Sequence, residues 1–370
     1  MTERLFDTDS MLKCFEANVL SSEKCEKGYE TILDKTAFFP EGGGQKGDTG
    51  FINNEEIFDV QEKDGIIYHY SQNKIPLGTV EGKIDFEKRF DKMQNHSGEH
   101  IISGIVHSLF GFDNVGFHLS ETEMTMDFSG ELSKEELEKV IFLANKAVMA
   151  NKPVNAYYPK NVSGVEYRSK KELEGEIRIV EIEGVDVCAC CAPHVTQTGQ
   201  IGPIVLTDAR KFRGGMRLWV ACGERAISEI QKMSSALKHI GAALSVPYLQ
   251  AAEGFDAFAK RSAEKDEIIT QLKKEIVKKD IEVLDKSKKQ ICYFCDDADS
   301  IKEAVNLLKV NFSTVCVLSG DDEKGYRFMA VGIKDEEDFK KNLCARGGGR
   351  DGMLQGSLTA KKADIIKYFN

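Results

Sequence analysis

The 370-residue sequence has no run of 18 apolar residues, so it offers no candidate transmembrane helix. Its opening, MTERLFDTDS, is not a signal peptide. A cytoplasmic protein is therefore expected, and in that compartment ten cysteines are not a disulfide framework. Three of them cluster as Cys188, Cys190 and Cys191 in CACC, which asks for a metal explanation. There is no basic excess: 50 Lys and Arg against 60 Asp and Glu give a net charge of -10. This excludes indiscriminate coating of nucleic acid but leaves room for a local basic patch. Internal repeats and low-complexity tracts are also missing.

The sequence does hold enough for a sizeable core, with 41% hydrophobic and 30% charged residues, and its length predicts two or three units. Residues 1–90 read as short strands. TILDKTAFF, TGFI, EIFDV, GIIYHY and TVEGKIDF alternate apolar and polar positions between Gly and Asp turns, which predicts a small β-barrel or sandwich. Over 88–110 the period changes. Phe90, Met93, Ile101, Ile105 and Leu109, with Ile102 and Val106 alongside, predict a helix with a buried face. A second helix is predicted over 133–150, opened by a Ser133–Glu136 capping box and striped by Leu137, Val140, Ile141 and Val148. VGFHLS, EMTMDF, EIRIVEI and RLWVAC are strand candidates, so 91–224 is expected to be α+β. From 225 to 289 the chain is helical and charged, with Pro247 separating two helices. Ile268, Leu272 and Ile276 at spacing four suggest a helical hairpin or short coiled coil. Residues 290–370 read as a separate small α/β unit carrying a Gly-rich loop, ARGGGRDGMLQGS.

His96 and His100, in HSGEH, lie four apart, which puts both imidazoles on one face of a helix. That is the bite one zinc ion takes from two histidines. The HExxH peptidase motif is excluded because position 97 is Ser, but HxxEH also matches the inverzincin peptidases, with Glu99 as general base. Cys190 and His194, again four apart, decide against that reading, since such a peptidase wants a downstream Glu. The two pairs together supply three nitrogens and one thiolate, a full tetrahedral set for one zinc per chain. Cys188 would share a strand face with Cys190 and is the stronger alternative ligand. Cys188 and Cys191 otherwise read as packing, His107 as a core residue rather than a fifth ligand, and the lone CxxC of Cys292 and Cys295 as packing.

HxxxH followed about ninety residues later by CxxxH resembles the signature of the alanyl-tRNA synthetase editing domain and its free-standing relatives. LDKTAFFPEGGGQKGDTG (33–50) is similar to the N-terminal barrel motif of that family, DFEKRFDKMQNHSGEHIISG (85–104) to its zinc helix and CAPHVTQTGQIGPI (191–204) to its second zinc segment. RGGMRLWVACGERA (213–226) resembles the strand that closes the editing domain, and RGGGRDGMLQGS (346–357) the Gly-rich loop of the DHHA1 domain that ends the synthetase. The likeness runs over nearly the whole chain. Starting at the barrel, the sequence leaves no room for a class II aminoacylation domain, and the long form of the free-standing trans-editing proteins is the nearer match. The resemblance implies a multidomain α+β fold: a β-barrel with its PEGGGQ loop over 1–90, a zinc editing domain over 91–224, a helical linker or coiled coil over 225–289 and a DHHA1-like domain over 290–370. It implies hydrolysis of the ester joining a wrong amino acid, serine first and glycine second, to tRNA for alanine, and it makes a homodimer reasonable. No Asp-His-His motif occurs, so the last unit is expected to bind or assemble and not to catalyse.

In the family the strand after the zinc helix lines the pocket and offers a polar side chain to the serine hydroxyl. The matching position here is Phe117, followed by His118, and strand neighbours face opposite ways, so only one of them points in. Gly42, Gly43, Gly44 and Gln45 allow close backbone approach. The resemblance places them near the acceptor end of the tRNA, with a plain hairpin turn as the alternative. Arg210, Lys211, Arg213 and Arg217 form a basic cluster suited to phosphate, or a solvated strand edge. Arg346 and Arg350 flank glycines that suit a phosphate or tRNA contact, or a helix-to-strand turn. Four protein ligands fill a tetrahedral shell, which looks structural. If substrate or water is to enter, Cys190 is the ligand expected to give way. A tRNA-binding or dimerisation protein with a structural zinc is the other reading kept.

Overall fold

The computed structural model describes residues 1–161, 164–169, 176–350 and 352–370. They form a mixed α+β fold in two compact units, Met1–Ala236 and Leu237–Asn370.

In the first unit six strands close into a barrel in the order Cys14–Cys25, Gly28–Leu33, Ile66–Ser71, Glu55–Lys63, Gly50–Ile52 and Gly78–Ile84. Phe15, Ala17, Val19, Leu33, Ile57 and Ile67 fill its interior. The longest of these strands, Cys14–Cys25, escapes the sequence reading. Its alternation of Phe15, Ala17 and Val19 is broken by exposed Leu20, where the pairing slips by one residue between Val19 and Ser21. Buried polar groups inside the barrel are paired. His69 Nε2 meets Thr36 Oγ1 at 2.8 Å, and His69 Nδ1 donates to the Thr31 carbonyl at 3.1 Å.

The chain leaves the barrel into the helix Phe86–Phe110. Asp85 caps it by accepting from Lys88 N, and Gly111 ends it in the left-handed conformation at φ 69°. Against the helix lie an antiparallel four-stranded sheet (Ile204–Phe212, Gly215–Cys222, Met124–Phe128, Asn114–Leu119) and the helix Lys134–Met149. The second helix opens with the capping box of Ser133 and Glu136. Met93, Ile101, Ile102 and Val106 are fully buried between them, but Leu109 is 43% exposed, because the helix has run past its sheet by the last turn. A smaller sheet of Val154–Tyr157, Ile179–Ile182 and Asp186–Ala189 carries the chain to the CACC segment.

The helix Gly223–Leu244 runs across the boundary between the units. Pro247 precedes a short turn of helix at Tyr248–Gln250, and the helix Ala251–Glu282 follows. Ile268, Leu272 and Ile276 are more than half exposed on it. The second unit then builds a five-stranded sheet ordered Gln290–Phe294, Thr314–Asp321, Gly325–Val331, Met353–Leu358 and Ala345–Arg350, with helices Ile301–Leu308, Glu336–Asn342 and Lys362–Phe369. The expected Gly-rich loop is mostly strand. Arg346 pairs with Ser357, Gly348 with Gln355 and Arg350 with Met353, so Ala345–Arg350 is the sheet's outer strand. Glycines show no side-chain period, and here the backbone ladder decides the conformation. Among the described residues no helix is long and apolar enough to cross a membrane.

Candidate metal centre

The central helix Phe86–Phe110 presents His96 and His100 side by side, with ring centroids 5.5 Å apart. Gly104, one turn further on, lets the helix close on the turn before the strand Asp186–Ala189. A Cβ there would lie 2.3 Å from the Val185 carbonyl oxygen. That strand runs out into Cys190, and the turn after it is pinned by Arg178. The Arg178 guanidinium donates to the carbonyls of Cys190 at 3.1 Å and Ala192 at 2.8 Å, while the Arg178 carbonyl accepts from Cys190 N. The His194 carbonyl accepts from Ser10 Oγ at 2.7 Å. The result is a cluster in which the ligand atoms of His96, His100, Cys190 and His194 all lie within 4.8 Å of one another.

Cys190 Sγ is 3.6 Å from His96 Nε2 and 3.4 Å from His194 Nε2. Metal–ligand bonds of about 2.0–2.3 Å around a tetrahedral zinc put neighbouring ligand atoms roughly 3.3–3.8 Å apart. The donor set therefore fits one small divalent ion in both chemistry and spacing. The other nitrogen of each imidazole is held. His96 Nδ1 donates to Gln45 Oε1 at 3.0 Å, His100 Nδ1 to Asp186 Oδ2 at 2.9 Å, and His194 Nδ1 lies 3.0 Å from Ser97 Oγ, which also accepts from Val195 N. Arg168 grips both oxygens of Asp186, at 2.8 and 2.9 Å. An imidazole with its Nδ1–H engaged keeps an Nε2 lone pair for a metal.

Burial opposes charge on the Cys190 thiol, but the imidazoles of His96 and His194 outweigh it and hold the thiol well below its ordinary range. Burial also opposes a charged His100, yet its hydrogen bonds to Asp186 and Cys190 raise it well above the usual 6.5. His194 goes the other way, to about 3, because burial dominates. A thiolate among imidazoles is the state a cation meets. Cys188 is buried and sits with His100 and Asp186. Burial raises its thiol, and both oxygens of Asp186 are engaged by Arg168, so this second group is support for His100.

The other residues singled out from the sequence are divided. Phe117 faces the cluster, its ring centroid 4.7 Å from that of His96, and His118 is exposed on the opposite side of the strand. Glu99 is fully buried, with Oε1 accepting from Ser103 Oγ and Asn114 Nδ2 at 2.6 Å each. His107 is no core residue. It is exposed in the last helical turn, bonded to Asp113 at 2.9 Å.

The glycine loop is brought to the cluster. Gly42 and Gln45 bond each other's backbones twice at 3.0 Å, and the Gly44 carbonyl accepts from Leu119 N at 3.1 Å. Gly44 has φ +82°, and a Cβ there would lie 2.8 Å from the Phe117 carbonyl oxygen. Gly43 lies against Cys191.

The basic residues lie elsewhere, on the hairpin of Ile204–Phe212 and Gly215–Cys222. Arg217 is bidentate to Asp127, Arg210 pairs with Asp208 and Lys211 with Glu131. Arg213 stacks over Phe212 and makes no ion pair among the described residues. Arg346 and Arg350 are on the outer strand of the second unit.

Sequence reasoning missed Ser97, Asp186, Arg168 and the contact of Gln45 with His96. Asp186, two before Cys188, carried the one available hint. The other three become visible only once the fold has closed.

These features define a class: a buried cluster of three histidines and one cysteine that could hold a metal ion, built between a barrel and an α+β layer. The comparisons with known proteins narrow it. Residues 8–88 match the family of class II (A) tRNA synthetases, and residues 177–233 match the second additional domain of threonyl and alanyl tRNA synthetases. An alanine–tRNA ligase of Pyrococcus abyssi is 32% identical over 96% of this chain and 42% of its own length. Another, of Methanococcus vannielii, is 30% identical over 98% and 43%. The alanyl-tRNA editing protein AlaX-L of Pyrococcus horikoshii is 29% identical over 99% of this chain and 97% of its own length. The chain thus spans about two fifths of the ligases and nearly all of the editing protein. It is thus similar, over nearly its whole length, to part of the alanine–tRNA ligases and to a free-standing alanyl-tRNA editing protein.

Proposed function

We propose that this protein is an aminoacyl-tRNA deacylase that removes a wrong amino acid, serine first and glycine second, from tRNA for alanine, with one zinc ion held by His96, His100, Cys190 and His194. The observation that carries the reading is the cluster itself: four ligand atoms within 4.8 Å, every imidazole fixed through Nδ1, and the glycine loop at its edge. When bound, the zinc would supply Lewis acidity to polarise a carbonyl or acidify a water. In the reaction a water oxygen bonds to the acyl carbon, the bond from that carbon to the ribose oxygen breaks, and the ribose oxygen takes a proton. His96, His100 and His194 are almost fully buried, whereas Cys190 retains solvent access. With a metal bound, Cys190, the one member of the set that is not a buried residue, would be the ligand to give way if water or substrate entered. Phe117 walls the pocket over His96 and limits the space for the amino-acid side chain. The serine hydroxyl must find its partner elsewhere than at position 117.

Arg213 is the member of the basic hairpin whose charge is available to a phosphate, and Arg346 and Arg350 offer two more on a DHHA1-like unit over 290–370. The exposed apolar face of the helix Ala251–Glu282 suits a second copy of the chain. The peptidase alternative is disfavoured by Glu99, whose Oε1 is committed to Ser103 and Asn114. A binding module with a structural zinc is the reading to beat. Deacylation of Ser-tRNA for alanine, beside correctly charged Ala-tRNA and with and without a zinc chelator, separates the two. Chelator-sensitive loss of serine with alanine spared is the expected result. Stoichiometric zinc with neither ester cleaved would hand the lead to the binding module.

A further inference from the structure

The glycine loop ends in a residue whose side chain is 1% exposed and only half used. Gln45 Oε1 takes the Nδ1 proton of His96, and Gln45 Nε2 is buried with no hydrogen-bond partner among the described residues. A buried amide donor left unpaired is costly and calls for a reason. Turning the amide over does not relieve it. The NH₂ group would then face His96 Nδ1, the imidazole proton would move to Nε2, and His96 could no longer be a ligand. The orientation is also held from behind. Gln45 is bonded to Gly42 through both backbone groups, Gly44 is tied to Leu119, and the buried Lys92 ammonium donates to the carbonyls of Lys46 at 3.2 Å and Gly47 at 2.6 Å. Lys92 stands one helical turn before His96, so one helix carries both the ligand and the brace of the loop that orients it.

Building on the deacylase reading above, we propose that Gln45 has two tasks in the reaction. It is the positioning residue that fixes His96 as an Nε2 ligand, and its second amide group donates to the carbonyl oxygen of the aminoacyl ester as that oxygen gains negative charge. Both heteroatoms hang on one amide carbon, so the unpaired Nε2 sits next to the oxygen that holds His96 Nδ1, in the layer just behind that imidazole. A fixed neutral donor there needs no reorganisation when charge develops, which is where such donors act most strongly. Gly44 then has a mechanical purpose: it lets the loop lie close against the Phe117 strand just before Gln45.

Two variants of the full chain separate the tasks. Gln45→Leu removes both. Gln45→Glu keeps an acceptor for His96 Nδ1–H and removes the donor. Zinc affinity, read by competition with a chromogenic chelator, is expected to fall about 10–100-fold in Gln45→Leu, as for other groups that orient metal-bound histidines, and to be retained in Gln45→Glu. On Ser-tRNA for alanine, kcat of zinc-loaded Gln45→Glu is expected to fall about 100-fold or more with KM little changed. Cobalt-substituted Gln45→Glu should keep the wild-type visible spectrum, which shows the centre intact. Gln45→Leu binding zinc as tightly as wild type overturns the positioning role. Wild-type kcat in Gln45→Glu overturns the donor role. A wild-type protein that cleaves no ester removes the deacylase reading and the donor role with it, while the zinc titration still decides the positioning role.

Discussion

Two helices of this chain break the same rule in opposite directions. The helix Phe86–Phe110 buries Arg89, Lys92, Gln94, Asn95, His96 and His100, while the helix Ala251–Glu282 exposes Phe255, Phe258, Ile269, Leu272 and Ile276. Burying polar groups is expensive unless each is partnered, and in the first helix the partners are present: Asp48 for Arg89, the carbonyls of Lys46 and Gly47 for Lys92, Gln45 and Asp186 for the histidines. Exposed apolar stripes are costly in the other sense, since nothing in the same unit covers them. The first helix gathers partnered polar groups inside the fold, and the second leaves an apolar face in solvent.

The sharpest way to break this contrast is at Arg89. It is fully buried, bonded to both oxygens of Asp48 and to the Ala37 carbonyl, and so ties the helix to the barrel. Asp48→Ala leaves that guanidinium buried and uncompensated and is expected to cost about 3–5 kcal/mol. Urea unfolding reads this, and Asp48→Leu combined with Arg89→Met should recover much of it. A loss under about 1 kcal/mol for Asp48→Ala would mean that polar burial in this helix is not what joins it to the barrel.

A buried histidine outside the centre gives the next largest effect. Burial holds His69 neutral and lowers it to about 4 from the ordinary 6.5, against the pull of its bond to Thr31. The unfolded chain takes up the proton first as pH falls. The stability that the neutral residue contributes is therefore whole above about pH 6.5 and is lost progressively down to about pH 4, a difference of about 3 kcal/mol. His69→Gln keeps a donor for the Thr31 carbonyl and an acceptor for Thr36. Between pH 7 and pH 4 it should lose about 3 kcal/mol less than wild type in parallel denaturant titrations. Parallel pH profiles for the two proteins would show that the interior of the barrel admits a charged imidazole.

The contrast also explains what could be read in advance. His96, His100, Cys190 and His194 announce themselves by spacing, because a helix turn and a tight turn each bring residues four apart together. The helix Lys134–Met149 was legible through its capping box, and Pro247 through its break. Gln45 was legible only as the end of a glycine loop. Its contact with His96 spans 51 positions, and no local period encodes it. Arg168 and Asp186 likewise act through the pairing of one segment with another. The strand Cys14–Cys25 hid behind its bulge, and the outer strand Ala345–Arg350 behind glycines that carry no pattern. The cluster was visible where histidine and cysteine repeat at spacing four, and its supports were invisible where they arrive from a distant loop.

The smallest effect on the fold is expected on the second helix, and there it is most informative. Phe255, Phe258, Ile269, Leu272 and Ile276 fall on the a and d positions of one heptad frame, interrupted by Ser262 and Lys265 at the intervening two. If this face meets a second copy, Leu272→Glu with Ile276→Glu should turn a dimer into a monomer in sedimentation velocity. Because both side chains are already in solvent in a single chain, the unfolding free energy of the dilute monomer should move by no more than about 0.5 kcal/mol. A wild-type protein that sediments as a monomer at every concentration would leave the face to another partner. A variant that stays dimeric would move the contact elsewhere in the chain. A variant that unfolds would show that this face is covered within the chain itself, and the two helices would then obey one rule after all.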